Sequence, residues 1–493
     1  MATSTTTAQI CRNFINGQWV ESSSGLTIER RNPADHDEVV AVVPLSTRKE
    51  AREAIAAAKA AFPAWRDTPA PVRGKIVARA AAILEARKEE VARLLTREEG
   101  KTLKDSLGEV TRSVNILEFT AGEARRMGGE TVPSEVPRNF AYTFKQPLGV
   151  VGAITPWNFP VAIPVWKAGP ALVTGNTMVF KPAEITPLTA AIIVEIFAEA
   201  GTPPGVLNMI LGAGEEVGDE LVEHDDVRAL SFTGSNVIGG AIYAAGARKM
   251  KKCQCEMGGK NPVVVLADAD LDLAVESTFV GAFGSSGQRC TATSRVVVED
   301  AVADRFVDAL AARARQCKAG NGLDSSVDLG PVVDEKQLET VLRYIEIGKK
   351  EAKLLAGGKH LTGGALDRGL FVAATVFDHV PWDSVIAQEE IFGPVISVIR
   401  VRDFEEALRV ANSVKYGLSS SIYTNDARKI FEFIERIESG MTHVNLPTIA
   451  SEAHLPFGGI KGTGIGLREM GRVAIDFYTE IKTVYIDYAR KRG

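Results

Sequence analysis

The sequence predicts an α/β protein built on parallel sheets with helices on both faces, and three observations predict it. From residue 149 onward a unit recurs in which a short apolar strand ends in Pro or Gly and a helix follows: GVVGAITPWNFP, NTMVFKPAEITPLTAAIIVEIFAEAG, GVLNMILGAGEEVGDELVEH and RALSFTGSNVIGGAIYAAGA. A second such run begins with NPVVVLADADLDLAVESTFVGAF, continues past SRVVVED and the helix 301–317, and is repeated over residues 385–423. Strands that alternate with helices imply a parallel sheet buried on both faces. The third observation is length: 493 residues exceed one ordinary core and suggest two or three domains.

In chain order, residues 48–62 and 72–98 combine strong helix formers with apolar positions three and four apart, which predicts two amphipathic helices. After Met127 the texture changes. GGETVPSEVPRNFAYTFKQP carries turn residues and then alternation through Ala141, Tyr142, Thr143 and Phe144, the pattern of an exposed strand and a protruding arm. The most apolar long run, Val150 to Val173, is interrupted by Pro156, Asn158, Pro160, Pro164, Lys167 and Pro170, which argues against a membrane-spanning helix. The tail TVYIDYA reads as strand. Ligands of parallel sheets bind beyond the carboxyl ends of the strands, where the Gly and Pro turns lie.

Composition narrows the function. A net charge of -5 gives no basic footprint for nucleic acid, so the expected partner is a small molecule. The five cysteines, Cys11, Cys253, Cys255, Cys290 and Cys317, are odd in number and scattered, which argues for a reducing compartment rather than a disulfide framework. MATSTTTAQI has neither a basic nor an apolar leader region, and a cytoplasmic location is expected. The six histidines show no HxxxH or HExxH spacing and CQC has no second cysteine pair, so no metal is expected. No GxSxG elbow offers a serine nucleophile.

Cys290, in GSSGQRCTATSR, follows an arginine in a run of small residues that promises a bend. A thiolate is favoured by such an electropositive, amide-rich setting, although a lone cysteine is more ordinarily a packed core thiol. Glu256, at a strand end before Gly258-Gly259, has the setting of a general base or of a solvated turn residue. FTGSNVIGG places Gly234 and Ser235 at a strand end and at the start of a helix, whose amides favour a pyrophosphate. Lys181 and Glu184, in FKPAEITP, suit ribose hydroxyls or a surface ion pair equally.

Together the motifs TPWNFP at 155–160, KPAEITP at 181–187, FTGSNVIG at 232–239, EMGGKNP at 256–262, GQRC at 287–290, EEIFGP at 389–394 and LPFGGIKGTGIG at 455–466 resemble the aldehyde dehydrogenase superfamily over essentially the whole chain. Cys255 departs from the family's usual leucine-like residue. The resemblance implies that Cys290 attacks the aldehyde, that Asn158 and the Cys290 amide hold the oxyanion, that Glu256 activates the hydrolytic water, and that Lys181 serves both catalysis and cofactor binding. It implies a nicotinamide cofactor, NAD with NADP possible, held by Thr155, Pro156, Trp157, Lys181, Glu184, Gly214, Gly218, Phe232, Thr233, Gly234, Ser235, Ile238, Glu389 and Phe392. It further implies a Rossmann-like cofactor domain of residues 1–124 and 145–256, a catalytic domain of 257–473, and an oligomerisation arm of 125–144 and 474–493, hence a homodimer or homotetramer.

For the substrate, Arg289 suggests an anionic group, or else an internal carboxylate partner or a tuned thiolate. The segment THVNLPTIASEAHLPFGG offers a polar entrance through His443, Asn445, Thr448, Ser451 and His454. Within the superfamily, GQRCTATSR and VLRYIEIGKKEAKLLAGG are most similar to bacterial 2,5-dioxovalerate (α-ketoglutarate semialdehyde) dehydrogenases. Succinate semialdehyde, glyceraldehyde 3-phosphate and a sulfonated three-carbon aldehyde are the competing substrates. A CoA-acylating enzyme has no use for Glu256, and an inactive binding or structural relative has no use for Cys290, Glu256, Asn158 and Lys181 together.

Overall fold

The computed structural model describes residues 8–489, so residues 1–7 of the stretch read for a leader and residues 490–493 of the expected arm lie outside the described residues. Five parallel strands form the centre of the first sheet, in the order Lys252–Glu256, Val227–Thr233, Val150–Ile154, Thr177–Lys181 and Leu207–Met209. Antiparallel strands flank them, Gly464–Ile465 beside Lys252–Glu256, and Asn13–Ile15 with Gln18–Val20 at the opposite edge. The order reverses at Val150–Ile154. From there the chain builds outward to Leu207–Met209, then crosses to Val227–Thr233 on the other side, and a crevice opens beyond the carboxyl ends at such a switch point.

The second sheet runs Lys353–Ala356, Thr375–Asp378, Val395–Val401, Thr293–Glu299, Asn261–Val265, Ser419–Tyr423 and Met441–Val444, parallel except for the first. The central strands of both sheets are buried on both faces, as the apolar runs Thr177–Lys181, Asn261–Val265 and Thr293–Glu299 require. Met178 and Phe180 pack under the helices Ala70–Ala86, Lys88–Glu99 and Pro187–Glu199, whereas Val179 between them faces Ile55 of the helix Arg48–Asp67. Val263 and Val265 meet the helices Leu271–Phe283 and Asp300–Arg315, and Val264 meets the opposite core with Val341 and Ala407. The arm is a third, three-stranded antiparallel sheet in which Thr479–Asp487 pairs with Asn139–Pro147 and the latter with Thr131–Val132. It leaves Phe140, Ile481, Tyr485 and Ile486 exposed.

Two helix expectations are corrected. The helix expected over 48–62 runs through Pro63 to Asp67 and opens with a capping box between Thr47 and Glu50. The single helix expected over 72–98 is two, Ala70–Ala86 and Lys88–Glu99, because the backbone leaves helical geometry at Arg87, where ψ is 12°. The Arg87 guanidinium pairs with Glu90 on one side and Glu195 on the other, which anchors the junction. No proline or glycine marks it, so periodicity reads through. The apolar run 150–173 becomes a strand, a turn and the helix Ala162–Val173, every residue of which is buried. Among the described residues no helix is long and apolar enough to cross a membrane.

Candidate active site

The loop that carries Cys290 begins where the helix Leu271–Phe283 ends. Ser285, Ser286 and Gly287 follow with φ of 50°, 57° and 69°, and left-handed backbone at a residue with a side chain costs about 1–3 kcal/mol. Gly287 is obligatory, since a Cβ there would stand 2.2 Å from the carbonyl oxygen of Gly393. Side chains from elsewhere hold the bend open. Asn261 Nδ2 donates to the carbonyls of Cys290 and Ala292 at 2.8 and 2.9 Å, and the Val333 amide donates to Gln288 Oε1 at 2.9 Å. Cys290 is half-buried against a cluster that includes Phe159, Trp166, Phe457 and Met470. Burial pushes its thiol up to about 12; Glu390 adds to the rise and Arg112 opposes it.

Asn158 and Glu256 converge on this loop. Asn158, in the turn before the helix Ala162–Val173, is buried and donates from Nδ2 to the Gln288 carbonyl at 3.0 Å. Glu256 ends its strand buried, and its Oε2 accepts the Gly459 amide at 3.0 Å. A Cβ on Gly458 would lie 2.2 Å from Glu256 Oε1, so glycine there leaves room for the carboxylate. Burial raises the Glu256 carboxyl well above its ordinary range, the neighbouring Glu469 raises it further, and the Gly459 amide, Arg468 and Lys167 oppose the rise. Glu469 is itself paired with the buried ammonium of Lys167. Cys290, Glu256 and Asn158 therefore meet around one loop, where burial raises both the thiol and the carboxyl.

The crevice at the switch point gathers most of the expected cofactor residues. Thr155, Pro156 and Trp157 follow one strand, and Phe232, Thr233, Gly234 and Ser235 close the adjacent one. Ser235 caps the helix Asn236–Arg248 by accepting the Ile238 amide. Lys181 donates to Glu184 at 2.8 Å, and a Cβ on Gly218 would be 3.7 Å from Lys181 Cδ, so the short turn Gly214–Gly218 lies alongside. Trp157 meets Phe392 edge to face with ring centroids 5.5 Å apart. Two features fit a dinucleotide here. Thr155 Oγ1 is buried without a partner, and Val237 and Ile238 stand exposed at the first turn of a helix, an apolar wall next to free amides. Glu389 accepts the Tyr344 hydroxyl at 2.6 Å. Its neighbour Glu390 accepts the Gly259 amide at 2.8 Å, acts on the Cys290 thiol, and is raised by burial to about 7.

The expected substrate residues are occupied internally. Arg289 pairs with Asp105 at 2.6 Å and donates to Ser285 Oγ, the internal-carboxylate alternative of the sequence reading. Thr448 is fully buried and donates to the Thr291 carbonyl at 2.7 Å, and His443 sits between the carbonyls of Ser420 and Ala450. Asn445 bonds both main-chain groups of Thr424. Ser451 and His454 do line a cleft of about 600 Å³, together with Thr111, Arg112, Asn115 and Phe119. Arg112 has the electrostatic freedom that Arg289 lacks. Among the described residues no carboxylate lies within ion-pair distance of it; its Nη2 reaches Met470 Sδ at 3.3 Å, its guanidinium lies 5.5 and 5.7 Å from the ring centres of Trp166 and Phe457, and its Nε has no hydrogen-bond partner. Burial lowers its pKa to about 10, and Cys290 and Glu109 work against that.

Sequence reasoning missed Arg112, Glu390, Lys101, Glu109, Lys167 and Glu469. In the run EEGK at 98–101 all three charged residues, Glu98, Glu99 and Lys101, are fully buried. A signal for Arg112 does exist: it falls within the helix Leu103–Glu123 next to the buried stripe Glu109, Val110, Ser113 and Val114, where a charge demands a partner or a ligand.

With this geometry in hand, comparison with known proteins is direct. Residues 19–484 match the family model described as the aldehyde dehydrogenase family. The chain is 47% identical to an alpha-ketoglutaric semialdehyde dehydrogenase of Bacillus subtilis (strain 168), over 96% of this chain and 97% of that one. It is 46% identical to a 2,5-dioxopentanoate dehydrogenase of Saccharolobus solfataricus, over 95% and 98%. Among solved structures, that of a betaine aldehyde dehydrogenase from Staphylococcus aureus in complex with NAD+ is similar with a TM-score of 0.95 at 36% identity, covering 98% of this chain and 96% of that one.

Proposed function

The chain belongs to the aldehyde dehydrogenase family, and from that premise we propose that it oxidises a short anionic semialdehyde such as 2,5-dioxovalerate to the carboxylic acid, with NAD as the hydride acceptor and NADP as the alternative. The observation that supports the substrate reading is the guanidinium of Arg112, which lines the cleft, has no carboxylate within ion-pair distance among the described residues, and acts on the Cys290 thiol. A half-desolvated cation without a counter-charge binds a carboxylate more strongly than it binds water. The names of the relatives at 46–47% identity point to the same compound.

In the proposed chemistry the Cys290 sulfur attacks the aldehyde carbon as its proton passes by way of Glu256 to solvent, and the carbonyl oxygen becomes an oxyanion that accepts hydrogen bonds from Asn158 Nδ2 and the Cys290 amide. The nicotinamide, when bound, supplies the acceptor for the hydride that converts thiohemiacetal to thioester. Glu256 then takes the proton of the attacking water, and the acid leaves with the thiol restored. Thr155, Trp157, Ser235, Glu184 and Phe392 would hold the cofactor. Glu184, already neutralising Lys181, favours a free ribose hydroxyl over a 2′-phosphate. Glu390 takes the place that the sequence reading gave to Glu389, supported by its proximity to Cys290.

The same reading divides the chain into a cofactor domain of 1–124 and 145–256, a catalytic domain of 257–473 and an arm of 125–144 and 474–493. Homodimers or homotetramers are proposed because, among the described residues, the strand Met441–Val444 ends its sheet with an unpaired edge, and the arm leaves Phe140, Ile481 and Tyr485 exposed. A cytoplasmic setting accords with five free cysteines. The test is kcat/KM with NAD for 2,5-dioxovalerate against pentanal. A preference of about a hundredfold or more, roughly 2.7 kcal/mol of transition-state binding, is expected, and a ratio near one overturns the substrate reading.

A further inference from the structure

The helix Leu103–Glu123 and the two residues before it reach both halves of the site at once. Lys101 Nζ is fully buried; it donates to the carbonyl oxygen of Asn158 at 2.6 Å and to Glu109 Oε2 at 2.8 Å, and lies 4.1 Å from the centre of the Phe159 ring. Glu109, eight residues on, uses its other oxygen to accept the amides of Val161 and Ala162 at 2.9 and 3.0 Å. One ion pair thus grips the carbonyl of residue 158, the ring of 159 and the amides of 161 and 162, the whole turn that carries the Asn158 side chain. Asp105, between them in sequence, holds the opposite half: its carboxylate accepts Arg289 Nη2 at 2.6 Å and the Ser285 amide at 3.1 Å. The Asn158 side chain then bridges the two halves through the Gln288 carbonyl.

We infer that Lys101, acting with Glu109, is a positioning residue that registers the Asn158 amide against the Cys290 loop. A buried ion pair is a poor stabiliser, since apolar residues of similar volume commonly serve as well or better. It does fix geometry, because an ammonium and a carboxylate with all their hydrogen bonds made admit one arrangement. Here that arrangement sets where Asn158 points. The inference rests on the proposed role of Asn158 as oxyanion donor. Rate depends steeply on donor geometry at such a site: a misplacement of the order of 1 Å costs about a hundredfold.

The test is a kinetic cycle on the full-length enzyme with 2,5-dioxovalerate and NAD, comparing the parent, Lys101→Met/Glu109→Gln, Asn158→Ala and the combined variant. The neutral pair removes the ammonium together with the carboxylate it bonds; Glu99, 3.9 Å from Lys101 Nζ and raised by burial to about 7 with Lys101 opposing, rises further without the ammonium and takes up a proton, and the glutamine side chain retains an oxygen for the amides. We expect kcat to fall about 30- to 100-fold in the neutral-pair variant, with KM for the aldehyde and the Kd of NAD from calorimetry within about threefold of the parent. Asn158→Ala should cost about 100-fold or more, and adding it to the neutral pair should cost little further, because both act through one amide. Multiplicative losses, or a neutral-pair variant with parental kcat, overturn the positioning role while leaving Asn158 as the donor. Parental kcat in Asn158→Ala overturns the donor reading itself. Should the neutral pair fail to fold, Lys101→Arg is read on the same cycle: it keeps charge and donors but moves them, so the same non-additivity with Asn158→Ala is expected, and a multiplicative loss overturns the inference.

Discussion

Replacing Arg112 by methionine removes the charge while keeping an unbranched side chain in a setting that already contains Met470. A substrate carboxylate about 4 Å from the guanidinium gains roughly 4 kcal/mol at an effective dielectric near 20. The partial exposure of Arg112 and the desolvation of the incoming anion reduce this to about 2–3 kcal/mol. That amounts to roughly a 30- to 150-fold loss in kcat/KM for 2,5-dioxovalerate. Pentanal carries no charge, so its kcat/KM should change by less than about threefold, the margin left by repacking. The assay is NADH formation at 340 nm under subsaturating aldehyde for both substrates, with Arg289→Met as the control. Arg289 is tied to Asp105, so its loss should loosen the Cys290 loop and slow both aldehydes alike. Equal losses for the two aldehydes in Arg112→Met, or a selective loss in Arg289→Met, would refute the assignment of the anion to Arg112. Stability offers a second check. Burial is the largest influence on Arg112 and disfavours its charged form, so the methionine variant should melt no lower than the parent.

Cys290→Ala should abolish oxidation yet bind NAD with parental affinity by calorimetry; residual turnover would mean another nucleophile. Glu256→Gln should stall after hydride transfer, leaving a covalent acyl adduct on Cys290 detectable by intact-mass spectrometry. The Glu256 carboxyl is raised above its ordinary range by burial and Glu469; only its deprotonated form is a base, so deacylation in the parent should accelerate as pH rises through that raised pKa. A pH profile for hydrolysis unchanged in Glu256→Gln would count against it as the base. Glu390→Gln should raise KM for NAD or lower kcat, whereas Glu389→Gln, which only loses the Tyr344 contact, should be near parental, and the reverse pattern would restore the sequence reading.

Much of the fold was legible because buried parallel strands write themselves plainly: NPVVVL and SRVVVED have no polar residue for either face to expose along their valine runs, and both strands lie at the centre of a sheet. The break at Arg87 was not legible, since it is made by ion pairs to Glu90 and to the distant Glu195. The residues proposed as nucleophile and base, Cys290 and Glu256, stood out in the sequence through motif and order. The substrate residues did not, because Arg289 and Arg112 are equally charged in sequence, and only the fold shows that Asp105 satisfies one and that the other has no carboxylate. Glu389 and Glu390 differ by one residue in a turn, and which faces the thiol depends on backbone direction, which Phe392 at φ 58° helps to set.

The electrostatics of the thiol bind these assignments together. Burial and Glu390 push Cys290 up to about 12, and Arg112 is the foremost cation holding it down. The guanidinium proposed to read the substrate's tail is thus also the one that favours the thiolate, and an anion bound to it would weaken that second effect. Attack therefore requires the proton to leave as the carbon–sulfur bond forms, with a buried carboxyl such as Glu256 nearby to exchange it. The sign of this coupling is measurable without substrate. A cation near a thiol favours its charged form, so Arg112→Met should raise the Cys290 pKa. The rate of Cys290 alkylation by iodoacetamide, followed by mass spectrometry between about pH 7 and 10, should then be lower in Arg112→Met than in the parent at every pH in that range. Equal or faster alkylation in the variant would mean that Arg112 does not act on the sulfur, and would separate its role in reading the substrate from any role in the chemistry.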